Sequence, residues 1–401
     1  GVCVVSGTGA SGSGPGGGVG VNNSGCGGAH GGYGGINLHT GGYKAAPYGD
    51  PVEPTEPGSG GGSSATLGEK GGAGGGVVRL IADSSLTVDG TISANGRNSH
   101  GGRSAGGAGG SVWLTCDTLL GNGLVAAGGG KCAFEAGSGG GGRIAVHYNP
   151  ASQQALPAQP GVIFKMQSYD NCGGTVPAIP EDGGTLWFPD NTLFKGVVHE
   201  RMLGLIQYVP RVELTLDELR AKGIRLKLCG TNNVLTVNGP VDIRHDGTDG
   251  MAFGEVTFAH QGSLTVNGDI TVSGTRSLLR MGSFAQTNGG YLTVTGNINV
   301  MTNGTLAYYF PANAPTALQV GGNFAWSGTG GAVELMAAPT SDPANSPGGL
   351  LDWESKDLTI PDGGTLRLAC DGITGSAVWL RLGKFTVEAG GTASANGDGY
   401  W

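Results

Sequence analysis

The chain has 401 residues, of which 84 are glycine, with 38% hydrophobic residues, 13% charged residues and a formal net charge of −8. That balance excludes a basic nucleic-acid-binding surface, and no apolar run approaches the roughly 20 residues of a helix inserted in a membrane. The glycines lack the three-residue period of collagen, and the apolar residues fall in alternating runs, which predicts an ordered fold rather than a disordered chain.

Glycine is unevenly spread, with 47 of the 84 in the first 150 residues. The change in composition predicts a glycine-rich solenoid region over 1–148, a linker over 149–160 and a β-helix over 161–401 with rungs of about 26–29 residues. The opening Gly1-Val2-Cys3 carries no initiator methionine or signal peptide, as expected of a processed chain or an excerpt of a longer one. Through residue 70, the runs GSGPGGGVG (12–20), CGGAHGGYGG (26–35) and PYGDPVEPTEPGSGGG (47–62) have turn chemistry and little strand pattern. Pro47, Pro51, Pro54 and Pro57 favour extended polyproline-type backbone, and glycine runs adopt a similar helix that packs in layers. Ordered loops decorating a solenoid and a flexible arm both satisfy this composition.

One pattern is then stated three times. GGAGGGVVRLIADSSLTVDGTISANG, GGAGGSVWLTCDTLLGNGLVAAGG and GSGGGGRIAVHYN begin at Gly71, Gly106 and Gly137. Each opens with glycine and runs into an alternating strand, through Val77, Arg79 and Ile81, then Val112, Leu114 and Cys116, then Ile144, Val146 and Tyr148. The spacing suits one coil of a solenoid, whose apolar face is buried only when coils stack. Asp-Gly and Gly-Asn-Gly are expected to supply positive backbone angles at the corners.

Beyond residue 161 the apolar side chains are larger. LTLDELRAK (214–222) reads as sheet rather than a short helix, because Val212, Leu214 and Leu216 alternate. LTVNGPVDI, LTVNGDITV, LTVTGNINV and LQVGGNFAW repeat from Leu235, Leu264, Leu292 and Leu318, at steps of 29, 28 and 26 residues, with degenerate copies at Leu358 and Phe385. Even spacing and tight corners predict rungs of a parallel β-helix, whereas an immunoglobulin-like sandwich needs a turn roughly every 8 to 12 residues. The tail FTVEAGGTASANGDGYW (385–401) repeats LTVDGTISANG (86–96) and, set before the opening glycine run, restores a whole repeat. The expectation is one period of a longer polymer, as tandem copies or as subunits meeting through an interface of Gly1, Val2, Cys3, Tyr400 and Trp401.

The chemical content is sparse. Cys3, Cys26, Cys116, Cys132, Cys172, Cys229 and Cys370 form no Cys-x-x-Cys pair, so they are disulfide candidates rather than zinc ligands, with buried reduced thiols as the alternative. Asp242, Arg244, His245, Asp246 and Asp249 form the densest polar stretch. It suits acid–base work on sugars, a surface calcium site, or simply a polar corner. His30, His39, His100, His147, His199, His245 and His260 are dispersed, and no glycine run ends in the Gly-Lys-Ser/Thr of a phosphate loop. Trp113, Trp187, Trp326, Trp353, Trp379 and Trp401 suit either core packing or sugar stacking. No catalytic residue, metal or cofactor is assigned.

TISANG (91–96), GGAGGSVWL (106–114), SGGGGRIAVHY (138–148) and YGDPVEPTEPGSGGG (48–62) together resemble the glycine-rich β-solenoid repeats of very large secreted bacterial surface proteins. The resemblance covers residues 1–165 and thins to generic LTVNG rungs beyond. It implies an extracellular or cell-surface structural role and transfers no catalytic residue. The sequence therefore predicts an all-β, elongated parallel β-helix (β-solenoid) with a glycine-rich, loop-decorated N-terminal third. The function expected is a non-enzymatic filament, stalk or sheath subunit whose partners are copies of itself, head to tail. A polysaccharide-binding adhesin module is the alternative, followed by a β-helix polysaccharide lyase or hydrolase.

Overall fold

The computed structural model describes residues 9–20, 24–36, 45–64, 69–167, 183–190, 192–194, 202–208, 213–222, 224–228, 230–245, 254–282 and 289–395. It is a β-solenoid of stacked parallel strands, in two units. One unit comprises residues 1–194, 200–207 and 247–252, the other residues 195–199, 208–246 and 253–401.

In the second unit the first five coils each give one strand to each of three sheets, and the last two pair Gly349–Ile360 with Val378–Val387 and each add a strand to the third. The first sheet stacks Glu213–Leu216, Asn233–Val237, Gly262–Val266, Tyr291–Val294 and Leu318–Val320. The second stacks Leu219–Lys222, Val241–Arg244, Ile270–Ser273, Ile298–Met301 and Phe324–Ser327. The third, which the sequence pattern does not announce, runs Ile224–Leu228, Gly254–Phe258, Ser277–Met281, Thr305–Tyr309, Ala332–Met336, Thr365–Ala369 and Thr392–Ser394. Pairing is motif on motif: Leu214, Leu235, Leu264, Leu292 and Leu318 stack in one ladder, each at most 4% exposed. Because side chains alternate along a strand, the intervening Thr215, Thr236, Thr265 and Thr293 stack on the outer side. The stretch 214–222 is two strands, as its alternation predicts.

The corners depart from expectation. Gly90, Gly239, Gly268 and Gly296 do not have positive φ, whereas Gly121 does, at 100°. Close approach explains the Asn-Gly and Thr-Gly corners instead: a Cβ on Gly239 would sit 2.6 Å from the carbonyl oxygen of Asp217 in the coil before.

In the first unit, one sheet stacks Val77–Ile81, Ser111–Thr115, Arg143–His147 and Thr185–Trp187. A second pairs Ser85–Thr87 with Thr118–Leu120, and a third stacks Thr91–Ser93, Leu124–Ala126 and Ile163–Lys165. The strand Met202–Tyr208 pairs with both Thr185–Trp187 and Ile163–Lys165. The stretch 149–160, expected as a linker, contains a one-turn helix, Pro150–Gln154, capped by the Asn149 side chain and holding Gln153 buried.

Between the strands, the glycine runs form an ordered bundle of extended segments, so the flexible-arm alternative does not apply to the described part. Residues 103–110 are its axis. The amides of Ala105, Gly106 and Gly107 donate to Gly62, Gly137 and Arg97, and those of Ala108, Gly109 and Gly110 donate to the same three segments at Ser59, Gly140 and Ala94. The carbonyls face three further segments, with Arg103 and Gly106 accepting from Gly25 and Gly28, Ala105 and Ala108 from Gly72 and Gly75, and Gly107 from Gly130. A three-residue period with bonds only to neighbours is the signature of a polyproline-II-type helix, here ringed by six others. A Cβ on Gly107 would lie 2.1 Å from the carbonyl oxygen of Ala73, and one on Gly110 would lie 1.9 Å from that of Gly76.

Candidate functional site

Among the described residues, a dense polar centre lies in the first unit, beneath a strap of residues 45–57. Arg143, on the outer side of its strand, donates from Nε and Nη2 to the carbonyl of Tyr48 at 3.0 and 2.6 Å and from Nη1 to the Thr185 hydroxyl at 3.0 Å. Ser111 Oγ donates to the carbonyl of Glu56 at 2.6 Å, and His147 Nε2 donates to that of Val52 at 2.8 Å. Trp113 and Trp187 stand on either side of His147, at centroid distances of 5.7 and 4.6 Å, so these two tryptophans pack. The proline-rich run is thus held by its carbonyls, which suits a backbone that prolines keep extended and poor in donors.

His30 belongs to the same centre. Its Nδ1 lies 2.9 Å from the carbonyl oxygen of Gly109, so Nδ1 carries the proton and Nε2 is bare. Burial, with the Arg143 guanidinium beside it, pushes its pKa down to about 4. The bare Nε2 and Glu56 Oε2 are both buried without a hydrogen-bond partner among the described residues. A neutral imidazole and a carboxylate are the ingredients of acid–base chemistry, but His30 is 0% exposed, which shuts its imidazole away from solvent, while Glu56 is half-buried. The only sequence signal for this centre is a lone titratable residue inside a glycine run.

A second feature concerns how the sheets end. Among the described residues, two internal edges are capped by side chains. Where the third coil of the first unit lacks a strand beside Thr118–Leu120, the Gln153 amide accepts from the Leu119 N–H at 2.8 Å and donates to its carbonyl at 3.1 Å. In the second unit, Lys356 Nζ donates to the carbonyls of Val320, Gly321 and Gly322 at 2.8, 2.9 and 2.6 Å, beside the last strand of the first sheet.

Among the described residues the end coils have no such cover. Leu80 is in register with Leu114, so Val78 and Leu80 point inward and not the expected Val77, Arg79 and Ile81, yet Leu80 is 38% exposed and Leu114 0%. In the second unit, Phe385 and Val387 of the last coil pair with Leu358 and Ile360; the first two are 44% and 43% exposed, the second two 2% and 0%. Among the described residues, Val77–Ile81 has only Ser111–Thr115 as strand partner, and Val378–Val387 has only Gly349–Ile360. Terminal repeats that end a solenoid carry a polar outer face, whereas Leu80, Phe385 and Val387 leave apolar surface exposed here.

The interface residues expected from sequence, Gly1, Val2, Cys3, Tyr400 and Trp401, lie outside the described residues, as do Cys172 and Cys229. Cys26, Cys116 and Cys370 carry thiols and not the expected disulfides. The positions beside Cys116 in adjacent coils are Ala82 and Tyr148, that beside Cys370 is Ala337, and Cys26 bonds through its backbone to Val19 and Gly62. Burial pushes the Cys116 thiol up to about 11, which leaves it inert. Cys132 stands apart from these thiols as disulfide-bonded. Asp242 and Arg244 are ion-paired to each other on the outer face of the strand Val241–Arg244, His245 follows it, and Asp246 and Asp249 lie outside the described residues. No group of three or more His, Cys, Asp or Glu converges among the described residues, and no helix is long and apolar enough to cross a membrane. Compared with family models, curated proteins and solved structures, the chain matches none.

Proposed function

We propose that this chain is a structural, non-enzymatic subunit of an extracellular filament, stalk or sheath, assembling head to tail by the stacking of open end coils. The observation that carries this reading is the contrast between internal edges, capped by Gln153 and Lys356, and end coils that leave inward-facing Leu80, Phe385 and Val387 about 40% exposed. A heterologous contact of that kind propagates unless it closes into a ring. The extracellular placement rests on the resemblance of the glycine-rich repeats. Sedimentation and electron microscopy across a concentration series test the proposal: fibres with a regular axial repeat support it, and a monodisperse monomer at high concentration overturns it.

A polysaccharide-binding role is the second reading, favoured by a groove of about 430 Å³ lined in part by Gln319, Asp352, Trp353, Glu354 and Lys356. Trp353 is only 7% exposed, and Trp379, at 42%, does not line the groove. Calorimetric titration with neutral and acidic polysaccharides, repeated on Trp353→Ala and Trp379→Ala, tests it; equal heats from all three proteins would dismiss it.

A further inference from the structure

We infer that the joint between copies has one strand register: residues 385–394 of one copy lie in parallel on the first coil of the next, with Phe385 on Leu86, Thr386 on Thr87 and Thr392 on Thr91. This rests on the head-to-tail reading above and specifies its contact. Within the first unit, coils stack motif on motif. Ser85, Leu86 and Thr87 face Thr118, Leu119 and Leu120, and Thr91, Ile92 and Ser93 face Leu124, Val125 and Ala126, a constant offset of 33 residues. The tail repeats that motif, with FTV for LTV and TASA for TISA, so the same rule sets its register on a neighbour. Polarity agrees. The open side of the first coil is the side an earlier coil would occupy, because Ser111–Thr115 takes the other, and the open side of the tail is the side a later coil would occupy. A joint of this kind continues the parallel stack without a reversal.

Corner chemistry and space agree as well. The Asp89 carboxylate accepts from the Asn122 N–H of the next coil at 3.1 Å, and Asp269 and Asn297 accept in the same direction from Asn297 and Asn323 at 2.7 and 2.9 Å. Glu388 stands at the corresponding corner of the tail, and on the first coil Gly90 has nothing within 4 Å of where its Cβ would be. The interface therefore presents an acceptor to an open corner, flanked by the exposed Phe385 and Val387 on one side and Leu80 on the other.

The test is cross-linking between two variants of the 401-residue chain, Thr386→Cys and Thr87→Cys, with linked peptides identified by mass spectrometry. Parallel neighbours lie roughly 4.8 Å apart, within reach of a disulfide. The expected result is a Thr386–Thr87 link at least ~10-fold more abundant than one from Thr386→Cys mixed with Thr236→Cys. In addition, Phe385→Lys, at a position already exposed to solvent, should weaken association at least ~30-fold while the monomer keeps its circular dichroism spectrum. Assembly that persists with no preferred Thr87 link, or is indifferent to Phe385→Lys, overturns this register and leaves the filament reading standing. No association by the unmodified protein overturns both.

Discussion

The glycine bundle and the Leu-Thr-Val coils make their interiors out of different atoms. In the coils the interior is side chains: Leu235, Leu264 and Leu292 are 0% exposed, and the backbone bonds run between neighbouring strands. In the bundle the interior is the backbone itself. Residues 103–110 bond to six neighbouring segments, and their glycines leave no room for a Cβ. A side-chain interior tolerates exchange of one apolar residue for another of similar volume. A backbone interior tolerates almost no exchange at its glycines, because the neighbour that would have to move is a carbonyl in a hydrogen-bonded lattice.

The sharpest way to break the comparison is a single methyl group. Gly107→Ala places a Cβ 2.1 Å from the Ala73 carbonyl oxygen and should destabilise the first unit by more than about 4 kcal/mol in chemical denaturation. Gly76→Ala, with nothing within 4 Å, should change stability by less than about 0.5 kcal/mol. Equal effects at the two sites would refute the backbone-core account. In the coils, Leu264→Ala should cost about 3 kcal/mol and Leu264→Met less than about 1.5 kcal/mol, read from denaturation midpoints.

Acid should act on the strap of the first unit. His30 has a pKa of about 4 in the fold against 6.5 unperturbed, so between those values the unfolded chain binds more protons and stability falls as pH falls. The loss is up to about 3 kcal/mol, complete near pH 4 and absent above roughly pH 6.5. Melting temperatures across that range, compared with His30→Gln, measure it; an unchanged acid slope in the variant would assign the effect elsewhere.

Smaller effects separate capped from open edges. Gln153→Ala strands both backbone groups of Leu119 and should cost about 2 kcal/mol, with faster amide exchange at Leu119. Lys356→Met should cost only about 1 kcal/mol, because the carbonyl of Gly321 lies near solvent. Its clearer signature is new lateral association as the edge of Leu318–Val320 loses its cover, seen as a rise in light scattering.

Much of the solenoid was legible before any coordinates. The leucines at 235, 264, 292 and 318, spaced by one coil, and the alternation through 214–222 identify strands, and parallel stacking follows because coils of that length cannot pair as hairpins. The polar centre was not legible. Arg143, His30 and Tyr48 are far apart in sequence, and what brings them together is the path of a strap whose own residues favour no regular element. Gln153 and Lys356 were equally silent, since a single polar side chain reads as a surface residue until the edge beside it is known.

The sequence by itself determined the repeat, the strand alternation and the need for coils to stack, because period-two patterning and even spacing are local properties. Tertiary structure alone decided why the glycines are there. Composition suggested turns and positive backbone angles, whereas Gly107 and Gly239 are required by how closely another backbone passes. Closeness between distant segments leaves no local trace in sequence beyond the absence of a side chain.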